Sequence, residues 1–186
     1  MLIRLPDCVV RDWSPDDAPS LARYANDRRI WLNLRDAFPH PYGVADAHAF
    51  LERAAAMSPR TYFAIAVAGQ AAGGIGYTLH GDVERVGAEI GYWLGVPFWG
   101  RGIMTAALQA VTAHAFREHP ELRRIWAVPF AWNPASMRVL EKAGYRAEGR
   151  MRESAVKDGK IVDQMLYAIL RSDPSPLPDT HTVTPA

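Results

Sequence analysis

The residues best suited to chemistry lie in Gly95-Val96-Pro97-Phe98-Trp99-Gly100-Arg101-Gly102-Ile103-Met104-Thr105. A strand ends, a glycine-rich turn follows and a long helix begins. Successive main-chain N–H groups at such a junction face one point, and the helix dipole adds positive potential there, so the segment suits a phosphate or other anion. Glycines at 100 and 102 let the backbone come close to that anion. The alternative is an ordinary strand-to-helix turn, where glycine is common. Two familiar phosphate loops do not apply. The Gly-Lys-Ser/Thr of a nucleotide triphosphate loop is absent. The dinucleotide fingerprint wants a third glycine where Thr105 stands, within repeated βαβ units.

The elements that must position this turn can be read from the pattern. A strand is predicted at Cys8–Arg11. Ser14-Pro15-Asp16-Asp17 is a helix-start sequence, with Ser as cap and Pro in the first position. Pro19 argues for a start a few residues later. Helix runs to about Asn26, continues briefly over Arg28–Leu34, and returns over Asp46–Met57 after the Phe38–Gly43 loop. Three antiparallel strands follow: Thr61–Ala68, Gly73–Leu79 and Val86–Leu94, with turns at Gly69-Gln70 and Gly81-Asp82. Gly102–Glu118 is a helix, with Met104, Leu108, Val111 and Ala115 on one face. Arg124–Val128 is a strand. Asn133-Pro134 opens a helix that Gly144 ends. Tyr145–Met151 and Ile161–Leu170 form a hairpin turned at Asp158-Gly159. The order is that of an α+β fold with a largely antiparallel sheet.

Composition narrows the function. Basic and acidic residues number 21 and 20, giving a net charge of +1, which leaves no electrostatic footprint for nucleic acid or an anionic membrane. One cysteine, Cys8, excludes an internal disulfide, and no Cys/His set has zinc-site spacing, so no metal is expected. The first twelve residues lack the apolar stretch of a signal peptide, and no run approaches the ~18 apolar residues of a membrane span. A cytoplasmic protein is expected, with one domain over residues 1–171 and a disordered tail over 172–186, where four of the 14 prolines lie.

Three blocks give the chain a family resemblance. Pro97-Phe98-Trp99-Gly100-Arg101-Gly102 is similar to the Gln/Arg-x-x-Gly-x-Gly/Ala motif of the GNAT superfamily of acyl-CoA-dependent N-acyltransferases. Both glycines match, and Pro97 replaces the basic or amide residue. The form Trp-Gly-x-Gly after Gly-Tyr-Trp-Leu resembles the RimJ/RimL-like branch, named for acetylation of ribosomal-protein N-termini. Asn133–Tyr145 resembles that branch's Asn-x-x-Ser motif followed by Lys-x-Gly-aromatic. Asn33–Tyr42 resembles its acceptor-side loop.

The resemblance implies a GNAT fold: a twisted, mostly antiparallel sheet with one splayed strand pair, flanked by helices. It implies acetyl-CoA as cosubstrate and a primary amine as acceptor, either a protein N-terminus or a small molecule, in a monomer or homodimer. The pantetheine arm would pair with the main chain of Leu94 and Val96 like an added strand. Amides from Trp99 through Met104, including those of Gly100, Arg101, Gly102 and Ile103, would hold the phosphates, with Thr105 in the same helical turn. Arg101 would add a charge or simply face solvent. Asn133 is a helix cap, a pantetheine contact through its NH₂, or both. Ser136 would donate to the departing thiolate; the tyrosine that does so in many relatives corresponds to Leu140. Glu89 is the candidate base, beside the alternative of a solvent-facing strand glutamate. A glutamate used by some RimL-like members corresponds to Ala155. Trp31, Arg35, Phe38 and Tyr42 would line the acceptor mouth. The competing class is a non-catalytic acyl-CoA-binding regulator.

Overall fold

The computed structural model describes residues 1–174. It contains eight strands: β1 (Leu2–Arg4), β2 (Val9–Asp12), β3 (Tyr62–Val67), β4 (Gln70–Leu79), β5 (Gly87–Leu94), β6 (Arg124–Ala127), β7 (Arg146–Lys157) and β8 (Lys160–Leu170). Five α-helices accompany them: α1 (Ala18–Ala25), α2 (Arg28–Trp31), α3 (Val44–Ala56), α4 (Ile103–Glu118) and α5 (Pro134–Lys142). The strands bond in the order β1-β2-β3-β4-β5-β6-β8-β7. The chain divides into two compact units, Met1–Gly76 with Tyr92–Ala107, and Tyr77–Gly91 with the described chain from Leu108 onward.

In the first unit, β1, β2, β3 and β4 form antiparallel ladders. The hairpin turn between β3 and β4 falls on Ala68 and Gly69, both with positive φ, and Val67 pairs with Gln70. It lies one residue earlier than Gly69-Gln70, because the Val67↔Gln70 register leaves only those two residues outside the ladder. Ser14 caps a short 3₁₀ turn at Pro15–Asp17, and the Asp17 carboxylate returns to the Ser14 amide at 2.8 Å. The same carboxylate takes two bonds of 2.7 Å from Arg11. The α-helix then begins at Ala18, which puts Pro19 in its first turn, where no intrahelical N–H bond is lost. Leu21, Ala22 and Ala25 of α1 pack with Ala47 and Leu51 of α3, and Trp13, Phe38, Phe50 and Trp93 close over them.

In the second unit, the start of β5 pairs in parallel with β6, and β6, β8 and β7 follow antiparallel. Leu108, Val111 and Ala115 of α4 are fully buried, as are Ile125 of β6 and Leu140 of α5. The Thr112 and Tyr145 hydroxyls share a buried bond of 2.7 Å. β7 extends six residues beyond the expected Met151. Its register shifts between Met151 and Ala155, and Glu153 has φ +51. The Asp163 carboxylate holds that bulge, accepting from the Glu153 amide at 2.7 Å and from Arg150 at 2.6 Å. The hairpin turn is at Asp158-Gly159, as expected, with both φ values positive. The expected tail falls mostly outside the described residues.

Candidate active site

The turn between β5 and α4 belongs to the first unit. Val96–Phe98 forms a 3₁₀ turn opened by Gly95, whose N–H donates to Ala72 O of β4 at 2.7 Å. Gly95 is held close: an added Cβ would lie 3.0 Å from that same carbonyl and 3.1 Å from Tyr24. Tyr24 also meets Phe98 edge-on at 5.1 Å, so the 3₁₀ turn has an aromatic support. The Phe98 amide bonds to Gly95 O, and the Trp99 amide to Val96 O at 3.1 Å.

The Trp99 amide is therefore engaged inside the turn, and the run of amides offered outward begins at Gly100 rather than Trp99. Gly100 and Gly102 have φ of +75 and +77, and nothing lies within 4 Å of an added Cβ at either. A side chain at either position would be strained and would project into that open space. The first-turn amides of Ile103, Met104 and Thr105 have no intrahelical acceptor, as at any α-helix start. Gly102 supplies the first helical carbonyl, to Ala106 N, but has no side chain with which to cap. Arg101 is exposed, whereas Ile103 and Met104 are buried and anchor the helix. These features fit a diphosphate: first-turn amides without intrahelical acceptors, open space at both glycines and a buried base.

The backbone of β5 turns alternate groups to either edge. Its ladder with β6 covers Gly87↔Arg124, Ala88↔Ile125 and Glu89↔Trp126, while β5 itself continues to Leu94. The edge away from β4 therefore has a β6 partner only for the first three residues. This is how the expected splay is built. Leu94 is buried at the end of that edge. Val96 lies in the 3₁₀ turn with its carbonyl already accepting the Trp99 amide.

In the second unit, Glu89 is half-buried on β5, while its neighbours Ala88 and Ile90 turn into the core. Its ladder partner Trp126 lays its ring over Gly87, where an added Cβ would come within 2.6 Å, and packs against His80 at 4.6 Å. Glu89 thus sits beside an indole rather than on a bare solvent face. At the start of α5, Asn133 Oδ1 accepts the Ser136 amide at 3.1 Å. The cap uses the carbonyl oxygen, and the NH₂ of the same amide points elsewhere by construction. Ser136 is half-buried in the first helical turn.

The four acceptor-loop residues differ. Trp31 is half-buried, stacked on His40 at 5.6 Å with Arg28 over its face at 5.7 Å. Arg35 is exposed. Phe38 lies between Tyr42 at 4.9 Å and Trp93 at 5.8 Å. Tyr42 is only 5% exposed, and burial pushes its hydroxyl up to about 12. It belongs to the α1–α3 core, and the expectation of a mouth residue is corrected accordingly. Cys8 is buried in β2's approach, with its thiol pushed up to about 11 by desolvation and by Asp7, so it is a poor nucleophile. Among the described residues no group of three or more His, Cys, Asp or Glu is placed to hold a metal ion. No helix among them is long and apolar enough to cross a membrane.

The sequence pointed to the main chain of Trp99 but not to its side chain. The indole Nε1–H donates to Leu94 O at 2.6 Å, tying the end of β5 to the glycine turn. The available signal was a tryptophan five residues past the strand end, directly before Gly-x-Gly.

A mixed α+β sheet with β5 paired to β6 over only three residues, followed by a glycine-led helix start, suits the binding of an acyl-coenzyme. The family comparison agrees: the model described as "Acetyltransferase (GNAT) domain" matches residues 8–146, and the chain belongs to that family. Among relatives, it is 44% identical over 86 residues to the probable N-acetyltransferase YjcK of Bacillus subtilis (strain 168), covering 46% of this chain and 47% of that one. It is 37% identical over 81 residues to the ribosomal-protein-serine acetyltransferase of Escherichia coli (strain K12), covering 44% and 45%. These matches span about half the length of the curated relatives. Among solved structures, Mycobacterium smegmatis RimJ in complex with a CoA-disulfide superposes with a TM-score of 0.80 at 25% identity, covering 95% of this chain and 90% of that one.

Proposed function

We propose that the protein transfers an acetyl group from acetyl-CoA to a primary amine by direct attack in a ternary complex. The observation that carries this reading is the α4 start, where open space lies above Gly100 and Gly102 and both hold positive φ at the head of the helix. The amides from Gly100 to Thr105 receive the diphosphate, assisted by the helix dipole. The outer edge of β5 ending at Leu94 takes the pantetheine as an added strand, and the Asn133 NH₂ adds a bond to it.

Attack requires a neutral amine. Glu89 accepts its proton, directly or through a water, as the amine nitrogen bonds to the thioester carbonyl carbon. The carbon–sulfur bond breaks, and the Ser136 hydroxyl donates a hydrogen bond to the departing thiolate, which takes its proton from solvent. Main-chain amides stabilise charge on the carbonyl oxygen, and proximity supplies much of the rate. The unreactive Cys8 thiol is in keeping with transfer without an acyl-enzyme.

Relatives that carry the name of ribosomal-protein acetyltransferases favour a protein N-terminus as the acceptor over a free small amine. Trp31, Arg35 and Phe38 are the loop residues offered to it. A cytoplasmic setting and one acetyltransferase domain over residues 1–171 belong to the same reading. The test is coenzyme A release with a panel of peptides and small amines, with mass spectrometry of a lysate supplied with labelled acetyl-CoA. Label on a protein N-terminus supports the proposal. Tight acetyl-CoA binding with no transfer to any amine or lysate component would favour a non-catalytic regulator.

A further inference from the structure

Trp99 is 47% exposed, so about half of the residue stands in solvent. It nevertheless donates to Leu94 O at 2.6 Å. Strand alternation decides what that bond does. On β5, Gly87 O accepts from His80 N, and just past its end Gly95 N donates to Ala72 O, both toward β4. Val86 O accepts from Arg123 N and Arg124 N, on the opposite edge. Odd-numbered residues thus face β4, and even-numbered ones face away from it. Leu94 is in the second set. The indole therefore binds the last carbonyl of the β5 edge that the proposed function assigns to pantetheine. At its other end the same residue is joined to Gly100, where φ of +75 opens the cradle.

We propose that the Trp99 indole N–H is a positioning group that locks the pantetheine edge of β5 to the diphosphate cradle, so that one coenzyme meets both in register. The inference rests on the coenzyme reading above. Trp99 does not touch the reacting atoms, so its effect falls on coenzyme binding and not on the chemical step.

The test replaces Trp99 by benzothienylalanine, which exchanges the N–H for sulfur and keeps the ring, with Trp99→Phe as its genetic counterpart. Both are assayed with acetyl-CoA and with acetylpantetheine, which lacks the diphosphate and nucleotide. The expected result is a KM for acetyl-CoA raised on the order of fivefold with kcat unchanged, the size of one lost neutral hydrogen bond. KM for acetylpantetheine changes less than about twofold, because it engages only one of the two linked parts. An unchanged KM for acetyl-CoA overturns the proposal. So does an equal rise for both donors, which would confine the bond to shaping β5. A lowered Tm in the isosteric replacement assigns the bond to the fold alone and also overturns it. If the unaltered protein uses neither donor, the proposed function itself fails and takes this inference with it.

Discussion

At the start of α5, Asn133 Oδ1 accepts the Ser136 amide at 3.1 Å; at the start of α4 stands Gly102, which has no side chain to do the same. Both helices follow a strand by way of a turn. One closes its end from within, and its chemistry is left to side chains that project from the first turn. The other starts on a residue with no side chain, and the chemistry proposed for it is that of the main chain itself. The difference teaches where substitution should act. At α4, any added side chain intrudes on the site. At α5, the cap and the proposed pantetheine bond fall to different atoms of Asn133 and can be altered separately.

The largest effect is expected at α4. Gly102→Glu puts a carboxylate into the anion cradle and should lower acetyl-CoA affinity more than about a hundredfold by calorimetry. Gly102→Ala carries the same positive-φ strain without the charge, so it separates strain, on the order of 1–2 kcal/mol, from repulsion. Equal losses in the two variants would remove the anion from the account of this turn.

Glu89 tests the proposed chemistry apart from either helix start. Glu89→Gln should reduce kcat by about 10²-fold while acetyl-CoA affinity stays near its original value, because a base acts on the chemical step. Full turnover in this variant would transfer the role to another group.

A smaller effect is expected for Ser136→Ala. Charge on sulfur develops only as the thioester breaks, so kcat should fall on the order of tenfold while acetyl-CoA affinity stays near its original value. Tm should not fall, since alanine is the better helix former. Full activity would leave the thiolate to water.

The smallest effect sharpens the contrast most. Asn133→Asp keeps the capping oxygen and loses the NH₂, so stability should hold while acetyl-CoA affinity falls a few-fold. Asn133→Ala loses both and should also cost about 1 kcal/mol of stability in denaturant unfolding. Unchanged affinity in Asn133→Asp would make this residue a cap and nothing more.

What the sequence disclosed follows the same division. Glycine turns and an Asn-Pro start carry local signatures, and both helix starts lie where the pattern put them. β1 left no mark because Leu2–Arg4 is too short for an alternation. β7 beyond Met151 was hidden because its residues are almost all exposed: this edge strand is set by its partner β8 and by the Asp163 bonds, not by its own hydrophobicity. Tyr42 was misplaced because a loop tyrosine gives no sign of whether its ring turns toward a mouth or into the core. The Trp99 bond joins a side chain to a main-chain carbonyl five residues back, a relation that no spacing rule encodes.

The alternation of β5 bears on length more than on composition. Gly91 is exposed, with nothing within 4 Å of an added Cβ, and can accept a side chain. Adding or removing one residue between Gly87 and Gly95 is another matter. With the start of β5 held on β6, it would turn the Leu94 carbonyl toward Ala72 and the Gly95 amide away from it; with Gly95 held on Ala72, it would instead shift the residues before the change to the opposite face. Only a compensating bulge could absorb the change. The length of this strand is therefore constrained more tightly than the identity of its exposed side chains.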